Sequence, residues 1–160
     1  DHRDLHSFPT RRSSDLFVGL ALWKMGHIPV NRGNREKAIE SMRRAAQKIR
    51  KGTHVLVFPE GTRSKDPQTL LPFKKGGFML AIEAGVPILP IGISGTGRCW
   101  PKGSSKAYPG DISYCVGEPI PTENLTFEER DELMEKVKNA IERLREEAEK
   151  RIEQKNKPLS

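Results

Sequence analysis

Between Arg35 and Lys51 the apolar residues Ala38, Ile39, Met42, Ala45, Ala46 and Ile49 recur on one face of a 3.6-residue helix. Asn34 is placed to cap that helix and Gly52 to close it. Val55–Phe58 is a short unbroken apolar run, which predicts a strand buried on both faces. Lys75–Ala84 predicts a second helix, ended by Gly85, and Pro87–Ile93 (PILPIGI) a second strand. After a Gly/Ser/Pro-rich loop over Gly97–Gly110, Asp111–Val116 predicts a further strand, followed by a turn at Gly117–Pro119. Helix, strand, helix, strand in this order implies crossover connections. The expected fold class is therefore α/β, with a mostly parallel central sheet flanked by helices.

The pattern changes after residue 125. Thr126 and Glu129 have the spacing of a capping box, and Met134, Val137, Ile141, Leu144 and Ala148 then repeat at 3,4 spacing. A long charged amphipathic helix over 126–160 is expected, packed by its apolar stripe on a domain spanning 16–125. Residues 1–15 (DHRDLHSFPTRRSSD) have neither periodicity. The piece SFPTRRSSDL resembles a translated sequencing-adaptor scar, and a native disordered basic tail fits it as well. On both readings the chain is expected to be N-terminally truncated. Leu16–Met25 is the long apolar stretch, too short to span a bilayer, and predicts a buried or interfacial helix.

Charge narrows the partners. The chain carries a net +7, whereas residues 126–157 hold nine Lys/Arg against ten Asp/Glu, so the positive charge sits in the body that precedes them. A basic body suits a phosphorylated metabolite, an anionic membrane surface or nucleic acid. Aromatics are only 6% of residues, and Phe58, Phe73 and Phe78 lie among apolar residues rather than between cations. That argues against a nucleic-acid stacking platform. Cys99 and Cys115 are too few and too far apart for a metal cluster, and reduced thiols are expected. No metal or bound cofactor is indicated.

The candidate chemistry lies in VLVFPEGTRS, residues 55–64. Ligands of α/β sheets bind beyond the carboxyl ends of strands, which is where 59–64 would fall. Pro59 stops a ladder, and Gly61 lets the backbone take a positive φ close to a ligand. Thr62 and Ser64 offer hydroxyls, and Arg63 a fork that matches phosphate oxygens. Glu60 could orient that guanidinium or accept from a substrate hydroxyl. The same residues also fit a capped turn with a surface ion pair. Lys74 and Lys75 are further phosphate candidates, or equally a solvated helix start. Pro87 and Pro90 within one strand suggest an irregular edge forming a pocket wall, or a bulged core strand.

FPEGTRS, followed by LLPFKKGGFMLAIEAGVPILPIGISGT, resembles the glycerolipid acyltransferases of the 1-acylglycerol-3-phosphate (lysophosphatidate) type. WKMGHIPVNRGNREKA resembles the family's second block, with Arg32 at its arginine; FPEGTR matches the third and VPILP the fourth. YPGDISYCVGEPI is similar to the strand and turn that follow in many members. The resemblance implies acyl transfer from acyl-CoA or acyl carrier protein, as co-substrate, to the free hydroxyl of 1-acylglycerol 3-phosphate. It implies that Arg32, Glu60, Gly61, Thr62 and Arg63 bind the acceptor phosphate, and that the enzyme works at the cytoplasmic face of an anionic membrane. In the family a His-x4-Asp pair supplies the base. Five positions after His2, His6, His27 and His54 stand Ser7, Arg11, Arg32 and Pro59, so this chain has no such pair. The expectation is an acyltransferase parent and a 160-residue chain with little or no turnover. An acyltransferase with another acceptor, such as glycerol 3-phosphate or a lyso-aminolipid, and a non-catalytic membrane-peripheral lipid-binding protein are the alternatives.

Overall fold

The computed structural model describes residues 35–157. The chain divides into two compact units, Asp1–Ala45 and Ala46–Ser160, and the site discussed below lies entirely in the second. Arg32, Asn34 and the stretch Leu16–Met25 lie outside the described residues.

Helix α1 spans Arg35–Arg50. The chain leaves it through Gly52 and Thr53, whose N–H groups donate to the Ile49 and Lys48 carbonyls at 2.9 and 3.1 Å. Arg50 reaches back to the carbonyl ends of the next helix, donating to Glu83 O and, at 3.4 Å, to Ala84 O. That next helix, α2, covers Lys75–Ala84 and ends on left-handed Gly85, as its sequence predicts. Strand β1 (Ile91–Ser94) leads into one short helical turn, α3 (Thr96–Cys99), and strand β2 (Ser113–Val116) follows. The long helix α4 runs from Arg130 to Lys155.

The expectation of a mostly parallel sheet is not met among the described residues. β1 and β2 pair antiparallel, with Ile91 opposite Val116 and Ser94 opposite Ser113, and an isolated antiparallel bridge joins Ile88 to Ile120. The physical reason is the connection between them. A loop that turns straight back returns the strand antiparallel, whereas a parallel partner needs a crossover. Val55–Phe58 would have been that parallel partner, but it forms no strand among the described residues and is not buried: Leu56 is 72% and Phe58 69% exposed. The segment runs close to α2 at Val57. A Cβ on Gly77 would come within 2.9 Å of Val57 Cγ1.

Side-chain alternation on the hairpin decides where the core forms. Gly92 and Cys115, paired across the strands, face inward, and Ile93 and Tyr114 face out. Cys115 packs with Leu144 and Ala148 of α4, and a second cluster joins Phe78 of α2, Ile120, Leu133 and Val137. Helix α4 therefore buries one stripe against both α2 and the hairpin. The stripe includes Leu133 and Ile152, which the 3,4 repeat did not single out, while Met134 and Ile141 are only half-buried. Thr122, 1% exposed, shares its hydroxyl proton between the Val86 and Ala81 carbonyls at 2.7 and 3.1 Å. That ties the segment before α4 to the end of α2.

The capping box is only half formed. Glu129 accepts from the Thr126 N–H at 2.8 Å, but the Thr126 hydroxyl turns to the same carboxylate at 2.9 Å, and the helix begins later, at Arg130. Both bonds favour the ionised form and hold the Glu129 carboxyl below its usual range.

Leu133 is 3% exposed at the junction of α4 with α2, so Leu133→Ala is expected to cost about 3 kcal/mol. Leu89→Ala, at a position 50% exposed, is expected to cost less than about 1 kcal/mol. Urea denaturation of the two variants checks the contrast.

Candidate active site

The segment from Pro59 to Lys74 is a loop closed at its base. The Lys74 N–H, just ahead of α2, donates to Pro59 O at 2.7 Å, and the Gly61 N–H donates to Phe58 O at 3.0 Å. Gly61 has φ 68°, the left-handed value its place in the turn predicts. Glu60 sends its carboxylate across the loop, where Oε2 accepts from the Leu71 N–H at 2.7 Å. Farther out, Asp66 accepts from the Gln68 N–H at 2.9 Å and the Thr69 hydroxyl at 2.6 Å, and Ser64 Oγ accepts from the Asp66 N–H at 3.2 Å. The Thr69 hydroxyl, then the Gln68 amide and more weakly the Arg145 charge, hold the Asp66 carboxyl below its usual range.

Arg63 leaves this loop toward the turn after β1. Its guanidinium carbon lies 5.3 Å from the Trp100 ring centroid, and Nη1 makes a long 3.4 Å contact to the Trp100 carbonyl. A cation over an indole face is held in place without losing its charge. Trp100 is fixed in turn, its Nε1–H donating to Ser104 O at 2.9 Å.

Arg63 and Trp100 border a cleft of about 260 Å³. Its polar lining includes Ser64, Ser94, Arg98, Lys102 and Arg145 and contains no carboxylate. Arg98 faces α4, where it forms a forked pair with Glu149: Nη1 to Oε1 at 2.8 Å and Nη2 to Oε2 at 3.1 Å. The Ser94 hydroxyl donates to the same carboxylate. Arg98 first, and Ser94 with it, hold the Glu149 carboxyl below its usual range, while Glu149 raises Arg98. Arg145, one turn earlier on the helix, donates to the Pro67 carbonyl. Among the described residues no three His, Cys, Asp or Glu side chains converge as metal ligands.

The residues expected to bind phosphate therefore separate. Arg63 and Ser64 line the cleft. Glu60 does not pair with the guanidinium and is engaged inside its own loop, and Thr62 is exposed outside the cleft lining. Lys74 stands exposed ahead of α2, and Lys75 forms an exposed ion pair with Asp131 at 3.5 Å. Pro87 is exposed and Pro90 buried, and neither lines this cleft. Arg98, Lys102 and Arg145 escaped sequence reading. The first two stand in a stretch read only as a Gly-rich loop, and the third among helix charges read as solvated.

A protein-family model described as Acyltransferase matches residues 8–94, more than half of the chain. The chain belongs to the Acyltransferase family. A relative in Brassica napus, the chloroplastic 1-acyl-sn-glycerol-3-phosphate acyltransferase BAT2, is 40% identical over 104 residues, covering 64% of this chain and 30% of the relative. The human 1-acyl-sn-glycerol-3-phosphate acyltransferase alpha is 37% identical over 125 residues, covering 78% of this chain and 44% of the human protein. The crystal structure of the 1-acyl-sn-glycerophosphate acyltransferase PlsC from Thermotoga maritima superposes with a TM-score of 0.68 at 33% identity, over 81% of this chain and 50% of that one. The acyltransferase chain thus spans half or less of the length of each of these relatives. No described helix is long and apolar enough to cross a membrane.

Glu149 is the carboxylate that fastens the turn carrying Trp100 and Lys102 to helix α4. A carboxyl lowered by folding stabilises the folded state above its ordinary value near 4.5, and that contribution is lost as pH falls through the lowered value. The pair is partly exposed, so Glu149→Gln is expected to lower stability by only about 1 kcal/mol at pH 7. The deficit should shrink toward zero well below pH 4.5, as chemical denaturation at a series of pH values would show.

Proposed function

We propose that this chain is the acceptor-binding part of an enzyme that transfers an acyl group from acyl-CoA or acyl carrier protein to the free hydroxyl of 1-acylglycerol 3-phosphate, giving phosphatidate in phospholipid synthesis. The observation that carries the reading is the position of Arg63. In a chain of the Acyltransferase family, the arginine of FPEGTRS stands at the rim of a cleft lined by cations and by no carboxylate. A phosphomonoester gripped there lies apart from the reacting hydroxyl. Binding energy from such a remote group positions the hydroxyl for reaction.

The transfer balances simply. The acceptor oxygen bonds to the thioester carbonyl carbon, the carbon–sulfur bond breaks, and the hydroxyl proton passes through a base to the departing thiolate. An imidazole held by a carboxylate suits that proton transfer. The chain has no His-x4-Asp pair, so on this reading its 160 residues alone turn over little or no substrate. Gly61 turns the loop from outside the cleft lining, and Glu60 acts on Arg63 indirectly, by fixing the loop that carries it. Work on a lipid acceptor implies peripheral association with the anionic cytoplasmic face of a membrane, which the net +7 charge supports.

In the full-length parent enzyme, Arg63→Ala is expected to raise KM for lysophosphatidate at least about tenfold, the loss of one charge-assisted contact to phosphate. Activity toward a monoacylglycerol, which lacks the phosphate, should change much less. Equal losses with both acceptors would contradict a phosphate-binding role for Arg63.

A further inference from the structure

Besides Arg98, three cations reach the cleft from three separate parts of the chain. Arg63 comes from the loop that begins at Pro59, Lys102 from the turn after α3, and Arg145 from the middle of helix α4. Among the described residues none of the three has a carboxylate within 4.0 Å. The neighbouring acids are otherwise engaged. Glu149 is held by Arg98 and Ser94, and Asp66 by Thr69 and Gln68. Asp66 and Glu149 act on Arg145 only from a distance, so the like charges gathered around this space repel each other with little local compensation, and an anion there relieves the repulsion. A cleft of about 260 Å³ has room for a phosphate group with its attached carbon chain, though not for a whole lipid.

We propose that Lys102 and Arg145 join Arg63 in binding one phosphomonoester, so that helix α4 is part of the substrate site and not only packing. The inference rests on the acceptor reading above for the identity of that phosphomonoester, which is then the headgroup of the acceptor. The 3′-phosphate of coenzyme A is the other source with the same chemistry. Arg98 plays a different part. Its fork is spent on Glu149, so it holds the turn bearing Lys102 against the helix bearing Arg145 and acts as a positioning residue.

The test uses the 160-residue chain and titration calorimetry with sn-glycerol 3-phosphate, with glycerol as the uncharged control. Binding is expected at low salt and should weaken as ionic strength rises. Lys102→Ala and Arg145→Gln should each weaken it at least about fivefold, Arg145→Lys less, and Lys136→Ala, on the exposed face of the helix, not measurably. Circular dichroism checks that each variant is folded, and Arg145→Lys keeps the test decisive should Arg145→Gln not fold. Loss of binding in Arg63→Ala alone, with Lys102→Ala and Arg145→Gln unchanged, overturns the inference and leaves the acceptor reading intact. Coenzyme A binding that is lost in the same variants, without glycerol 3-phosphate binding, supports the three-cation site but transfers it to the acyl donor and overturns the acceptor reading. Absence of binding by either probe to the unaltered chain overturns both.

Discussion

The seat of helix α4 on strand β1 is the contact on which the rest of the second unit depends. Gly92 has no side chain, and a Cβ placed there would lie 2.4 Å from the backbone at Leu144 and Arg145. Only a bare backbone lets the helix come so close. That approach brings Leu144 and Ala148 onto Cys115 and fixes the rotation of the helix about its axis. With the rotation fixed, Arg145 and Glu149, one turn apart, are aimed at the cleft side. A helix seated elsewhere would bury a different stripe, and the charge arrangement around the cleft would disperse.

The electrostatics follow from that placement. Glu149 is consumed in tying down Arg98, and Asp66 in shaping its own loop, so negative charge near the cleft is already committed. The remaining cations face a common space. Arg63 is steadied by the Trp100 ring, which costs it no charge, and of its fork only Nη1 makes a long contact, to the Trp100 carbonyl. Such pre-positioning matters because ordering a long side chain at the moment of binding consumes part of the binding energy. On the proposed reading this arrangement would grip the phosphate of an acceptor; activation of the hydroxyl is a separate task.

Elements with local stop signals were legible in the sequence. Helix α2 begins and ends where expected because Gly85 terminates it through backbone geometry that depends on no distant partner. The long C-terminal helix was also legible, although its start lies beyond the Thr126–Glu129 pair, because the Thr126 hydroxyl turns to the carboxylate and not to the helix backbone. The sheet was misread. An apolar run such as Val55–Phe58 reports that a segment is suited to burial, not which strand it pairs with or whether it is covered. In the site, FPEGTRS drew attention to Arg63 through its likeness to the family's third block, although the residue types alone fit a capped turn as well, and the structure puts Arg63 on the cleft. Arg145 could not be read from the sequence. On a helix with charges along its polar faces, only the tertiary contact at Gly92 decides which arginine turns toward the cleft.

The most direct test of this account is Gly92→Ala, followed by amide hydrogen exchange across β1, β2 and the middle of α4. A methyl group there has no room against helix backbone, so a loss of about 2 kcal/mol or more is predicted, with faster exchange in Ser113–Val116 and around Leu144. A variant with unchanged stability and unchanged protection in those segments would contradict the claim that the bare strand at Gly92 sets the helix and, through it, the cleft.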